Sequence, residues 1–259
     1  MLDALDRFGE IEARLAGKRV CVFLDYDGTL TPIAARPDLA VLGDAMRATL
    51  AALAAHCTVA IVSGRDLDDV RRLVGLDGLI YAGNHGFDIS GPGGLSIVHD
   101  RDNAYTDAVA RAASDLIAAL AATEGALVEP KRFAVAVHYR HVRDSDVAAV
   151  EEVVDRVVAA VPELRKTHGK KVFELRPRFE WDKGKAVMWL LAALGLDGED
   201  VLPFYIGDDL TDEDAFRALA ARGVTIYVGA TQRTAAQYVL AGTEEVARFL
   251  ARLTRALGG

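Results

Sequence analysis

The sequence predicts an α/β protein: a doubly wound parallel sheet carrying an inserted α+β module of order αββαββ. Three observations predict it. Short, largely β-branched apolar runs alternate with helical patterns, a middle segment breaks that alternation, and each core run ends abruptly in a polar cluster. With 259 residues, 51% of them hydrophobic, the chain is long enough for two domains and apolar enough to bury a large core, which excludes a disordered chain.

The first core strand is expected at 20–24 (VCVFL), followed by a helix at 44–55 and a second strand at 58–62 (TVAIV). A helix at 66–74 and a strand at 79–82 (LIYA) complete this half. The runs are apolar without alternation, the pattern of strands buried on both faces. The middle segment then reads as a helix at 103–122, strands near 126–129 and 133–140, a helix at 145–161, and strands near 164–167 and 171–176. The alternation resumes with a helix at 183–194, a strand at 201–206 (VLPFYI), a helix at 212–221 and a strand at 224–228 (VTIYV). The expected domains are a core of 1–102 and 179–259 with an insert of 103–178. The Gly-rich loop 91–94 and the stretch 177–181 are the crossings, where hinge motion is expected.

Charge narrows the partners. The chain has 30 Lys and Arg against 38 Asp and Glu, a net charge of −8, which argues against nonspecific nucleic-acid binding and a polybasic membrane patch. Residues 101–180 hold 13 basic and 13 acidic residues, so the insert is neutral and the excess acid lies on the core. Two cysteines, Cys21 and Cys57, cannot build a disulfide framework, and no run approaches 18 apolar residues. The N-terminus carries acids where a signal peptide would be basic, so a cytoplasmic protein is expected.

The polar clusters FLDYDGT, IVSGR, YAGNHG and YIGDD follow four core strands, and in an open parallel sheet the C-terminal strand ends line one crevice. Asp25 and Asp27 are two residues apart, so in an extended chain both carboxylates leave one side with Tyr26 facing away. They suit a shared cation, or a nucleophile beside a proton donor; the alternative is that Asp27-Gly28 only makes a turn. In GDDLTDED, Thr211 with Asp212, Glu213 and Asp214 reads as a helix cap with an acidic first turn, which leaves Asp208 and Asp209 over. With Asp25 they form an oxygen-only set without His or Cys, suited to Mg²⁺ rather than Zn²⁺. Lys183 opens a helix, where a cation is unfavourable, so a phosphate or Asp182 must compensate it. Ser63 could bind an oxyanion or cap the next helix. His138 and His141 lack a third ligand and read as structural. No nucleophile elbow, P-loop or dinucleotide fingerprint is present.

The ordered set DYDGT, SGR, DKGKA and GDDLTDED resembles the four motifs of the haloacid dehalogenase superfamily of phosphohydrolases. YAGNHG, EPK, HYR and ELRP further resemble the trehalose-6-phosphate phosphatases across nearly the whole chain, departing at Phe87-Asp88, where many bacterial members carry a small residue then Glu. The resemblance implies a haloacid dehalogenase-like Rossmannoid core with the insert as its cap. It implies that Asp25 attacks phosphorus, that Asp27 protonates the sugar oxygen and then activates water, and that Ser63 and Lys183 hold the phosphoryl oxygens. It further implies Mg²⁺ between Asp25, the Asp27 carbonyl and Asp208, with Asp209 and Asp212 supporting. Glu129, Lys131 and Glu174 match sugar-binding positions, with Arg65, Asn84, His85, Gly86, Arg140 and Arg176 expected at the substrate or in salt bridges. The partner implied is a small sugar phosphate, with no nucleic acid or membrane, for a monomer functionally coupled to a trehalose-6-phosphate synthase. The expected reaction is hydrolysis of trehalose 6-phosphate through an aspartyl-phosphate. The alternatives are a phosphatase of sucrose or mannosylglycerate phosphate and an aspartate-phosphorylated signalling module.

Overall fold

The computed structural model describes residues 2–98, 104–178, 181–230 and 233–258. The chain divides into two compact units, Met1–Ile97 with Trp181–Gly259, and Val98–Glu180. The expected crossing at 102/103, with Asn103 as the first residue of the expected helix, lies outside the described residues. So do Phe179 and Glu180 of the second crossing.

The first unit begins with β1 (Leu2–Asp3) and α1 (Phe8–Ala13) and continues with β2 (Arg19–Leu24), α2 (Asp44–Ala54), β3 (Thr58–Val62), α3 (Leu67–Val74) and β4 (Ile80–Gly83). β5 (Asp88–Ser90) and β6 (Ser96–Val98) then extend one edge of the sheet. The second unit contains α4 (Ala104–Leu120), β7 (Leu127–Pro130), β8 (Val135–His138), α5 (Val147–Ala160), β9 (Leu164–Gly169) and β10 (Val172–Pro177), the predicted αββαββ order. The chain returns to the first unit with α6 (Lys183–Ala193), β11 (Val201–Gly207), α7 (Glu213–Leu219), β12 (Val224–Val228), β13 (Tyr238–Leu240) and α8 (Thr243–Ala256).

The core sheet has the order β1-β13-β12-β11-β2-β3-β4-β5-β6, with every described pair from β1 to β4 parallel and β5 antiparallel to β4. Side-chain alternation along β2 explains why its sequence looks uniformly apolar. Val20, Val22 and Leu24 join one hydrophobic cluster, with α1, α2, α3 and α8, while Cys21 and Phe23 join the other, with α6 and α7. β11 alternates in the same way, Leu202, Phe204 and Ile206 on one side, Val201 and Tyr205 on the other. Helices therefore cover both faces. The strand order runs outward from β2 through β3 and β4, and outward from β11 through β12 and β13, so the winding reverses between β2 and β11. That reversal point is where ligands bind in open α/β sheets.

In the second unit the sheet order is β7-β8-β10-β9, all antiparallel. Val135, Val137, Phe173, Leu175 and Leu164 pack with α4 and α5 in a separate core. The period of two then sends the intervening residues to the face away from these helices, and the register aligns Glu129, Ala136, Glu174 and Thr167 in one row across all four strands.

Candidate active site

Asp25 follows Leu24 directly, and the alternation that puts Leu24 on the α2 and α8 side puts Asp25 on the α6 side. Its backbone N–H donates to Ile206 O (2.9 Å), pinning it beside the end of β11, from which Asp208 emerges. Carboxylate oxygens of Asp25, Asp208 and Asp212 lie within 4.8 Å of one another, and all three residues are buried. Acids more than 180 positions apart in sequence thus meet because β2 and β11 are neighbours.

Lys183 completes the group. It is the first residue of α6 and only 2% exposed, and its Nζ donates to Asp25 Oδ1 (2.8 Å) and Asp212 Oδ1 (2.6 Å). The compensation for a cation at a helix N-terminus is therefore two buried carboxylates. Asp182, as N-cap, accepts from Lys185 N (2.7 Å) and satisfies the helix end instead. Burial opposes the Lys183 charge, but Asp212 and Asp25 outweigh it and hold the ammonium above its ordinary value. Burial pushes the Asp25 carboxyl well above the usual carboxylate range; Lys183 works against this, while the nearby Asp212 and Asp208 add to it.

Asp212, read as a capping acid and, by the resemblance, as a support of the metal site, has a place in both the cap and the acid cluster. It does close a capping box with Asp209, but it is fully buried and its carboxylate is saturated. Oδ1 accepts from Lys183 and from the Tyr205 hydroxyl (2.7 Å), and Oδ2 accepts from the backbone N–H of Asp208 (3.0 Å) and Asp209 (2.9 Å). Four donors fill the roughly four acceptor positions of a carboxylate. Asp212 thus braces Lys183 and the Asp208–Asp209 backbone. Asp209, expected at the metal, is the N-cap of the turn that contains Asp212.

The group fits a divalent cation. Among the described residues the cluster sets three buried acids against Lys183, an excess of negative charge on hard oxygen donors without a His or Cys in the set. Gly28 and Gly207 make the cluster sterically possible. A Cβ on Gly28, whose φ is +85°, would fall on the Asp208 carboxylate, and a Cβ on Gly207 would fall on that of Asp212.

The other expected residues of this unit lie on the turns around the cluster. Tyr26 faces away from Asp25 as predicted and donates from its buried hydroxyl to Ala40 O (2.9 Å). The Asp27 side chain lies against Arg65, which donates from Nε to Oδ2 and from Nη2 to Oδ1, both at 2.7 Å. Arg65 also donates to Asp69 Oδ2 and to Pro37 O, each at 2.9 Å. Of the two places expected for it, at the substrate or in a salt bridge, the structure shows the second, with four of the five N–H donors of the guanidinium engaged on Asp27, Asp69 and Pro37. Ser63 is buried, with Oγ accepting from Arg65 N (3.1 Å). Asn84, His85 and Gly86 all have positive φ and build the turn after β4. Asn84 Nδ2 donates to Asp66 Oδ1 (2.8 Å) and His85 N to Ser63 O (2.7 Å), so this turn is tied to the one after β3.

In the second unit, Lys131 Nζ donates to Glu174 Oε1 (3.0 Å), Arg176 Nε to Glu174 Oε2 (2.5 Å), and His138 Nε2 lies 2.8 Å from Glu129 Oε2. Burial works against the Lys131 charge, but Glu174 and Glu129 raise its proton affinity overall. Arg140 is exposed two residues beyond β8, donating to Lys170 O (3.1 Å). Sequence reasoning missed Tyr205 as a partner of Asp212, and Gly207 as a spacing residue. The only local signal for them was their position just ahead of the acidic cluster.

A sheet reversing at β2 and β11, a buried acid triad with a lysine at that reversal, and an inserted α+β unit give the chain a haloacid dehalogenase-like fold. The solved C-terminal domain of a Candida albicans trehalose-6-phosphate phosphatase shares this fold, with a TM-score of 0.81 at 23% identity, covering 98% of this chain and 99% of that one. The family model described as trehalose-phosphatase matches residues 23–244. Trehalose 6-phosphate phosphatase RA3 of Zea mays is 43% identical over 98% of this chain and 75% of its own length. An uncharacterized glycosyl hydrolase of Mycobacterium tuberculosis is 48% identical over 97% of this chain, which spans only 19% of that protein. The chain belongs to the trehalose-phosphatase family of phosphoric monoester hydrolases.

Proposed function

We propose that this chain hydrolyses trehalose 6-phosphate to trehalose and inorganic phosphate, with Mg²⁺ bound and a phosphoryl group carried transiently on Asp25. The observation that carries the reading is the buried Asp25, Asp208 and Asp212 cluster joined by Lys183. Family membership supports the substrate.

Asp25 and Asp208 would hold the ion, Asp212 saturated behind them and the Asp27 backbone carbonyl beside them. When bound, Mg²⁺ supplies charge neutralisation to the acids and to the phosphoryl oxygens. The other Asp25 oxygen attacks phosphorus in line, the P–O bond to the sugar breaks, and the departing oxygen takes a proton from Asp27. A water then attacks phosphorus while giving a proton to Asp27, the Asp25–phosphorus bond breaks, and phosphate leaves. Lys183 and Ser63 steady charge on the phosphoryl oxygens, as positioned donors do. Glu129, Lys131 and Glu174, whose charges make strong hydrogen bonds to neutral hydroxyls, read as the sugar-recognising set of the inserted unit. The reading includes action in the cytoplasm, supported by the two free thiols Cys21 and Cys57.

The test is phosphate release from trehalose 6-phosphate, glucose 6-phosphate and sucrose 6-phosphate, with Mg²⁺ and with chelator, for the parent chain and Asp25→Asn. Turnover confined to the trehalose ester, stopped by chelator and by the substitution, is expected. Equal turnover of sucrose 6-phosphate would sink the substrate assignment, and an active Asp25→Asn would sink the covalent route.

A further inference from the structure

The bidentate contact between Arg65 and Asp27 joins two groups that the reaction scheme treats separately. We propose that Arg65 is the positioning residue for the leaving-group acid: it fixes the plane of the Asp27 carboxylate and does not itself contact the substrate. The inference rests on the reading of Asp27 as proton donor and goes beyond it by naming what aims the donor.

The contrast in exposure is the first support. The Asp27 side chain is 40% exposed, whereas the Arg65 side chain is 9% exposed. A short carboxylate in that setting rotates unless something holds both oxygens. Arg65 does so with two parallel donors at 2.7 Å, the fork geometry in which an arginine specifies orientation as well as charge. Each Asp27 oxygen keeps a further acceptor position, so the clamp leaves room for a proton exchanged with the leaving group.

The second support is that Arg65 is itself immobilised from four directions. Its Nη1 donates to Asp69 in the first turn of α3 and its Nη2 to Pro37 O. The guanidinium carbon lies 5.2 Å from the centroid of the Tyr26 ring, whose hydroxyl is tied to Ala40. Its backbone N–H donates to Ser63 Oγ. The loop that carries Asp25 and Asp27 is thereby linked to the loop after β3 through a side chain that cannot move without breaking several charged contacts. Proton transfer needs the donor within hydrogen-bond reach of the departing oxygen, and a displacement of about 1 Å costs up to about 100-fold in rate.

The test compares kcat/KM, which reports the step in which the leaving group departs, for Arg65→Ala, Arg65→Lys, Asp69→Asn, Asp27→Asn and the double variant Asp27→Asn/Arg65→Ala with the parent, in saturating Mg²⁺. Two esters are used: trehalose 6-phosphate, whose alkoxide must be protonated, and p-nitrophenyl phosphate, whose phenolate leaves unaided. Arg65→Ala is expected to lose about 10- to 100-fold on the sugar ester and about tenfold less on the aryl ester. Arg65→Lys should recover only a minor part of the loss, because an ammonium cannot form the fork. The double variant should match Asp27→Asn within about threefold, since Arg65 acts through Asp27. Should Arg65→Ala fail to fold, Asp69→Asn, which loosens the far side of the clamp, is expected to show the same preference for the sugar ester at about threefold. Equal losses on both esters, multiplying losses in the double variant, or a parental rate for Arg65→Ala would overturn the clamp. If p-nitrophenyl phosphate is not turned over, additivity in the double variant decides. Ester-selective loss in Asp27→Asn without one in Arg65→Ala removes the clamp alone, whereas a parental rate for Asp27→Asn removes the proton-donor reading beneath it.

Discussion

Gly28→Ala separates the stability of the fold from the integrity of the proposed ion site. Gly28 holds φ at +85° and donates its N–H to Thr31 O (2.7 Å), closing the loop that carries Asp25 and Asp27. A non-glycine residue in a left-handed conformation costs about 1–2 kcal/mol, and the new Cβ would fall on the Asp208 carboxylate. The end of an aspartate side chain swings away at small cost to the fold, so the global loss stays near the backbone figure. At about 2–4 °C per kcal/mol for a chain approaching this size, the melting point should fall by roughly 2–8 °C. The ion site has no such tolerance, because Asp208 is one of two proposed direct ligands. In the parent, Mg²⁺ at one hundred times its Kd should add about 2.7 kcal/mol of stability. In Gly28→Ala at the same concentration that increment should collapse. The assay is thermal melting of both proteins with chelator and across a Mg²⁺ series. A variant that melts lower in chelator yet keeps the full Mg²⁺-dependent rise would show that Asp208 does not bind the ion. An unchanged melting point in chelator would refute the strained geometry at Gly28.

Two further predictions use groups remote from the ion. Burial pushes the Cys21 and Cys57 thiols up to about 12, so iodoacetamide at pH 8 should leave the native chain unmodified and label both positions in guanidinium, read by mass spectrometry; rapid labelling of native Cys57 would contradict this. Lys131→Met removes a lysine whose folded proton affinity is raised above its unfolded value, chiefly by Glu174 and Glu129 acting against burial. Its stabilisation is fully present below the ordinary lysine value of about 10.4 and is lost as pH rises through the higher folded value. Urea unfolding from pH 8 upward should therefore show the parent's advantage over Lys131→Met shrinking only at the alkaline end, and an advantage that grows there would refute the assignment.

The central strands were legible because burial on both faces leaves a run of apolar residues with sharp ends, as at Thr58–Val62 and Val224–Val228, where structure and expectation coincide. β1, β5, β6 and β13, each two or three residues long, carry too little pattern to be read. α8 did carry one: Val246, Phe249, Leu250 and Leu253 follow helical spacing and are buried, and no helix was drawn there. The acids of the cluster were legible as types and as strand-end positions, but their division of labour was not. Asp212 satisfies every local criterion for a capping acid, and it is one. Its second role depends on Lys183, brought to it because α6 packs on α7 and the turn that holds Asp212, and on Tyr205 from the end of β11. Arg65 was legible as a charge for the substrate or for a salt bridge, but nothing in the local sequence reveals that its partners are Asp27 and Asp69.

The two cations of the core site follow from one electrostatic requirement met in different ways. Asp25 is buried, and a buried carboxylate is tolerated only with a hydrogen-bonded counter-charge, which Lys183 supplies from a position that its own helix end disfavours. A single ammonium shared between Asp25 and Asp212 balances one of the three carboxylates of that cluster, and a divalent cation would balance the rest. Asp27, more exposed, does not need charge neutralisation to be stable; it needs direction, and a two-pronged guanidinium provides that where an ammonium would not. Exchanging the two cations should therefore fail in both places. A lysine at 65 keeps the charge and loses the aim, and an arginine at 183 has too large and planar a head for the buried position between Asp25 and Asp212.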